Sequence, residues 1–158
     1  MVIIEGIDAS GKSTLGKIIA RQLGYTLIES EGPPRYTGEI NDRIKRYLSI
    51  PNALFVRHPA VSQPIYEHLR GDEPMTDPCL IHEVYDQCKL FVYCDPLDRG
   101  LKNHVVKDGE NLEHIEKVQT KYHILLGMYR SWAIQHAHAF YRIGDPISRI
   151  VDICSTVR

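Results

Sequence analysis

Residues 1–20, MVIIEGIDASGKSTLGKIIA, join a strand pattern to a helix pattern through a turn that contains glycine. Residues 1–6 are mostly apolar and β-branched, which is typical of a buried parallel strand. Further along, apolar residues recur at helical spacing as far as Leu23, and Gly24 predicts the end of the helix. The stretch therefore predicts a strand, a tight turn and a helix, whose N-terminal N–H groups can surround an anion.

The turn itself, GIDASGKS from Gly6 to Ser13, fits the phosphate-loop pattern G-x-x-x-x-G-K-[ST]. Glycine lets the backbone curl around a phosphate without a Cβ clash. We expect Lys12 to bring a cation to the β- and γ-phosphates of ATP, and Ser13 to give a hydroxyl ligand to Mg²⁺. The predicted nucleotide-binding residues are Gly6, Ala9, Ser10, Gly11, Lys12, Ser13 and Thr14.

The rest of the chain alternates strand and helix patterns, which predicts a single α/β domain over residues 1–158. We expect a doubly wound parallel sheet of about five strands, with ligands at the carboxyl ends of the strands. One helix is expected to start at Ser62, and the closing helix to have Asp145 at its N-cap and Pro146 at its first position. The polar stretch at about 98–110 predicts a loop or a helix-loop flap.

Composition narrows the function classes. The 158 residues carry a net charge of -1, so no overall basic field indicates nucleic-acid binding. The four cysteines are scattered without a C-x-x-C pair, which favours a reducing, cytosolic location. No apolar stretch approaches the roughly 18 residues of a membrane span. The guanine-reading N-K-x-D of GTPases is absent. The strand pattern ALFVR ends without the acid typical of motor ATPases, but Asp95 follows the strand pattern LFVYC, so a motor ATPase stays open as a weaker alternative.

Three stretches together resemble the thymidylate kinase and deoxynucleoside kinase group, especially its short phage-type members. They are IEGIDASGKST at the start, VRHPAVSQPIYEHLRG after the third strand pattern, and LFVYCDP before the basic loop. The resemblance implies a P-loop nucleotide kinase fold with a small lid. It also implies ATP- and Mg²⁺-dependent phosphoryl transfer to a deoxynucleoside monophosphate.

The resemblance also implies roles for particular side chains. Arg57 would grip a phosphate with its planar fork, and Asp8 would face the acceptor's sugar or base. Glu5 would act as a general base or as a partner of Mg²⁺. The implied acceptor-binding set is Asp8, Arg57, Ser62, Tyr66 and Arg70. Arg99, with Lys102 and Lys107, would neutralise charge from the lid, which completes the catalytic set Glu5, Asp8, Lys12, Arg57 and Arg99.

One position departs from the group. Val56 stands where its members carry an Asp before the Arg, which leaves Glu5, Asp8 or Asp95 to take over that role. Because of this departure, a second acceptor stays possible, namely 5-hydroxymethyluracil in DNA, as in phages that hypermodify their DNA. A phage-encoded protein of this kind would act in the host cytoplasm. A nucleotide-binding module without kinase activity is a third hypothesis, and the sequence leaves open whether the chain forms a homodimer.

Overall fold

The computed structural model describes residues 1–96 and 121–158. The five strands in these ranges are β1 Val2–Glu5, β2 Thr26–Glu29, β3 Ala53–Val56, β4 Leu90–Asp95 and β5 Ala139–Arg142. The helices in the same ranges are α1 Lys12–Leu23, α2 Glu39–Leu48, α3 Pro59–Arg70, α4 Pro78–Gln87, α5 Tyr122–His136 and α6 Ile147–Thr156. The expected lid, with Arg99, Lys102 and Lys107, lies outside the described residues.

All five strands form one parallel sheet in the order β2-β3-β1-β4-β5. From the central strand β1 the chain goes to the edge strand β2 and returns to β3 beside β1; it then crosses to β4 on the other side of β1 and ends at the edge strand β5. In sheets of this kind, ligands bind beyond the carboxyl ends of the strands at the point where the strand order reverses. The predicted doubly wound α/β fold of about five strands is confirmed.

Helices cover both faces of the sheet because successive strand residues point to opposite sides. On one face, Ile4 and Val92 pack under α1 and α6. On the other face, Phe55 and Phe91 pack under α2, α3, α4 and α5. Within the described ranges, no helix combines the length and apolar character needed to cross a bilayer.

Two helix starts differ from the sequence expectation. Helix α3 begins at Pro59 instead of Ser62, because the His58 imidazole caps it by accepting a hydrogen bond from the Ala60 N–H at 3.1 Å. Helix α6 has Pro146 at its N-cap, so the expected cap at Asp145 is wrong. The Asp145 carboxylate instead accepts from the Arg142 N–H at 2.9 Å and closes the turn after β5.

Candidate active site

The phosphate loop connects β1 to α1 and depends on glycine at two points. Gly6 has a φ of 145°, and a Cβ there would lie 2.4 Å from the carbonyl oxygen of Cys94 in β4. Gly11, with a φ of 85°, occupies the N-cap of α1, and no side chain caps this helix. The first-turn N–H groups at Ser13 and Thr14 therefore face no capping side chain, as an anion site requires.

Lys12 folds back across the loop. Its buried Nζ donates to the Ile7 carbonyl oxygen at 2.5 Å and to Ser10 Oγ at 3.3 Å. Burial, together with the nearby charge of Arg57, lowers the pKa of Lys12 to about 8. The ammonium group thus sits inside the loop that was predicted to bind phosphates, and it remains largely protonated at neutral pH.

Arg57 links the phosphate loop to the carboxyl edge of β3. Its backbone N–H donates to the Ile4 carbonyl oxygen at 2.9 Å, and its φ of 67° is unusual for a residue with a Cβ. Its Nη2 contacts Asp8 Oδ1 at 2.6 Å, and its guanidinium lies 5.7 Å from the centre of the Tyr66 ring. Nε of Arg57 is buried and has no hydrogen-bond partner among the described residues.

Glu5 lies fully buried at the end of β1. Its Oε1 accepts from the His58 N–H at 2.6 Å, whereas its Oε2 has no hydrogen-bond partner in the described part of the chain. Burial raises the pKa of Glu5 to about 7, although Arg57 and the His58 N–H act in the opposite direction. Burial also lowers the pKa of His58 to about 3, so its imidazole is neutral.

A cleft that is open to solvent lies beside this cluster at the carboxyl ends of β2 and β3. Two of the predicted acceptor residues, Arg57 and Ser62, line it. Ser62 donates through Oγ to the His58 carbonyl oxygen at 3.1 Å. The lining residues are Ser30, Glu31, Gly32, Ile40, Arg43, Tyr47, Arg57, Pro59, Ser62 and Gln63.

The other three predicted acceptor residues, Asp8, Tyr66 and Arg70, do not line the cleft. The Tyr66 ring supports Arg57 and meets the Tyr129 ring edge-to-face at 6.5 Å, so it lies behind the cleft wall. Arg70, the last residue of α3, forms an ion pair with Asp72 at 2.5 Å. Arg99, the remaining predicted catalytic residue, falls outside the described residues.

Sequence reasoning missed Glu31 and Arg43. Glu31 follows β2 and lines the cleft, where its carboxylate accepts from Arg46 and from the Tyr47 hydroxyl. The hydrogen bond from Tyr47 lowers the pKa of Glu31, and the hydrogen bond from Arg46 lowers it further. The Glu31 carboxylate is therefore an anion at neutral pH. The available signal was its place just beyond a predicted strand, at the edge where ligands bind.

Val56, which stands where the resembled group carries an acid, is buried among apolar side chains. Val56 points toward α1, and a Cβ on Gly16 would lie 2.5 Å from Val56 Cγ2, so helix and strand are in close contact there.

Asp95, one of the acids expected to replace the missing one, is bound through both carboxylate oxygens to Arg130, at 3.0 Å each. Across the described ranges, no group of three or more acidic, histidine or cysteine side chains is placed to hold a metal ion.

No protein-family model and no curated protein matches this chain. Among solved structures, the chain is similar to the YorR protein of Bacillus subtilis in complex with phosphorylated GDP. The TM-score is 0.73 at 19% identity, covering 99% of this chain and 94% of that one. It is also similar to deoxyadenosine kinase from M. mycoides with dCMP and dCDP bound (TM-score 0.63, 16% identity, 98% and 96% covered).

The same deoxyadenosine kinase with bound dATP gives a TM-score of 0.62 at 16% identity, covering 98% of this chain and 97% of that one. At these identities the likeness concerns the fold. The chain therefore shares its overall fold, over nearly its whole length, with these solved structures.

Proposed function

We propose that this chain transfers a phosphoryl group from ATP to a nucleotide-type acceptor held in the cleft, with a deoxynucleoside monophosphate as the first choice. The observation that carries the proposal is the 2.6 Å contact between Arg57 and Asp8, which joins the cleft to the phosphate loop. A donor phosphate in the loop and an acceptor in the cleft would meet there. Holding two reactants side by side accounts for much of the catalysis in phosphoryl transfer.

On the donor side, the loop N–H groups and Lys12 would surround the β- and γ-phosphates. Mg²⁺ fits as part of the ATP complex, since Ser13 offers one hydroxyl and Mg²⁺ usually takes its other ligands from phosphates and water. The ion would supply neutralisation of phosphate charge. Lys12 would leave its 2.5 Å contact with the Ile7 carbonyl oxygen and donate to the phosphates, stabilising the charge that develops during transfer.

On the acceptor side, two features support a monophosphate. Arg57 has a buried Nε without a hydrogen-bond partner in the described part of the chain, and a planar guanidinium suits phosphate oxygens. Glu31 presents a carboxylate that can accept from a sugar hydroxyl or a base amino group. Glu5, in its carboxylate form, would act as general base or orient the reacting groups through its unbonded Oε2.

A second candidate acceptor is the deoxynucleoside itself. Arg57 already has a carboxylate partner in Asp8, and Glu31 adds a further negative charge to the cleft. A neutral acceptor avoids the repulsion that a phosphate dianion would meet from these carboxylates. The solved kinase with dCMP as a bound product is a deoxyadenosine kinase, a protein named for a nucleoside acceptor.

The test is a phosphoryl-transfer screen with γ-labelled ATP and Mg²⁺. Each deoxynucleoside, each deoxynucleoside monophosphate, and duplex DNA with and without 5-hydroxymethyluracil would be offered in turn. We expect label on a monophosphate, and a Lys12→Ala variant serves as the inactive control. Label on DNA alone would replace this proposal by the DNA kinase, and ATP binding without transfer to any acceptor would leave a nucleotide-binding module.

A further inference from the structure

Arg43 is a buried arginine in the wall of the cleft, with only 4% of its surface exposed. Its Nη1 donates to the Gly32 carbonyl oxygen at 2.6 Å, and its Nη2 donates to the Pro33 carbonyl oxygen at 3.2 Å. These carbonyls belong to the segment between β2 and α2. One side chain of α2 therefore holds two consecutive peptide units of the segment that borders the cleft.

Glu39 fixes the orientation of this guanidinium. It lies one turn earlier in α2, and its Oε1 accepts from Arg43 Nε at 3.0 Å and from Nη2 at 2.5 Å. Glu39 is 3% exposed and also accepts from the backbone N–H and the side chain of Arg35. Two guanidinium N–H groups bonded to one carboxylate oxygen restrict the rotation of the Arg43 side chain, so its remaining N–H groups keep a fixed direction.

The residue just before the held carbonyls is Glu31. Arg43 Nε lies 3.8 Å from Glu31 Oε2, which is too far for a hydrogen bond. The hydrogen bonds of the Glu31 carboxylate come instead from Arg46 and Tyr47. Arg43 therefore acts on the position of Glu31 mainly through the backbone of Gly32 and Pro33.

We propose that Arg43 is a positioning residue for the acceptor: it holds the backbone at Gly32 and Pro33 so that the Glu31 carboxylate faces a hydrogen-bond donor of the acceptor. This inference rests on the proposed function of the cleft. The donor group it selects is a hydroxyl or an amino group, because a carboxylate anion repels phosphate. Arg43 would thus affect the orientation of the bound acceptor and leave ATP binding unchanged.

The experiment starts from Arg43→Lys, which keeps the charge and removes the planar fork. We expect kcat/KM for the acceptor to fall about tenfold to a hundredfold, as misplacement of a binding group can cause, with KM for ATP unchanged. Arg21→Lys makes the same chemical change at an exposed position of α1 and should leave both constants unchanged. Glu39→Gln, which weakens the anchor of Arg43, should shift acceptor kcat/KM in the same direction by less.

A double-mutant cycle separates positioning from direct contact. If Arg43 acts through Glu31, then adding Arg43→Lys to Glu31→Gln should lower kcat/KM by no more than about twofold, because the effects of coupled residues are not additive. An equal loss in both backgrounds would overturn the proposal, since Arg43 would then touch the acceptor independently. Unchanged acceptor kinetics in both Arg43→Lys and Glu39→Gln would overturn it as well.

Hydrogen exchange gives a readout that needs no acceptor. We expect faster amide exchange at Glu31 and Gly32 in Arg43→Lys than in the wild type, with the amides of β3 unchanged as the internal reference for folding. Unchanged amide exchange rates at Glu31 and Gly32 would show that Arg43 does not restrain the backbone of this segment. A wild-type chain that phosphorylates nothing would refute the proposed function instead, and the exchange result would still decide whether Arg43 restrains this segment.

Discussion

The phosphate loop and the cleft that we propose to hold the acceptor share one edge of the sheet but are built in opposite ways. The loop is a single segment, residues 6–13, whose shape comes from backbone angles such as the φ of 145° at Gly6. The cleft is assembled from side chains that follow β2 and β3 and that belong to α2 and α3. A site built from backbone leaves a short local pattern in the sequence, whereas a site built from packed side chains leaves none.

The two regions also differ in charge. Lys12 is a single buried cation within the loop, which suits a donor that is always a polyanion. The lining of the cleft combines the cations Arg43 and Arg57 with the carboxylate of Glu31. We therefore expect changes in the loop to abolish transfer for every acceptor, and changes in the cleft to alter the affinity for particular acceptors.

The largest expected effect is at Lys12. Lys12→Ala removes a cation from the phosphates and should lower kcat by about a thousandfold or more with every acceptor, since a single preorganised donor is worth about 10²–10³. Steady-state rates give the loss, and circular dichroism gives the folding control. Near-normal turnover in a folded variant would exclude the phosphate-loop mechanism.

Two glycine substitutions, one in the phosphate loop and one before α2 near the cleft, compare how much each region loses in free energy of unfolding. Gly6→Ala combines a positive φ with a Cβ 2.4 Å from the Cys94 carbonyl oxygen, and should lower the free energy of unfolding by about 3 kcal/mol or more. Gly38→Ala, before α2, has a φ of 91° but open space around the added methyl group, and should cost about 1 kcal/mol. Urea denaturation measures both, and equal losses would contradict the close contact at Gly6.

Arg57→Ala tests whether the cleft sets acceptor affinity. The loss of a charged hydrogen-bonding group should raise KM for the acceptor about tenfold to a hundredfold, with a smaller change in KM for ATP. Initial rates at varied acceptor and fixed ATP give KM for the acceptor, and the reverse series gives KM for ATP. Arg21→Ala, at an exposed position, is the control. A rise confined to KM for ATP would move Arg57 to the donor site.

Glu5 should make the stability of the fold depend on pH. Its pKa is raised by burial from 4.5 to about 7, so between these values the folded state binds more protons than the unfolded state, and stability falls as pH rises. Glu5→Gln should remove this fall, worth about 2 kcal/mol between about pH 5 and pH 7. His58, with its lowered pKa, contributes the opposite slope to both proteins and cancels in the difference. Parallel stability curves for the two proteins would show that Glu5 does not titrate in this range.

The sequence predicted features that depend on neighbouring residues better than features that depend on contacts between distant parts of the chain. The helix stop at Gly24 was predicted correctly, because it follows from one residue's backbone freedom. The start of α3 was missed, because its cap is the unusual imidazole of His58. Glu31 and Arg43 were missed because their roles depend on contacts between separate segments. The roles assigned to Arg57, Asp8 and Glu5, and to the lid residue Arg99, stay predictions.

The sequence by itself determined the strand–loop–helix start, the alternation of strands and helices, and the parallel sheet. Each of these follows from local periodicity and from glycine at positive φ, which are properties of neighbouring residues. Only the tertiary structure decided which side chains meet. Arg57 reaches Asp8 across 49 positions and Glu5 bonds to the N–H of His58 across 53, because β1 and β3 lie side by side in the sheet. Strand order, which no local pattern states, therefore assembles the acceptor cleft beside the phosphate loop.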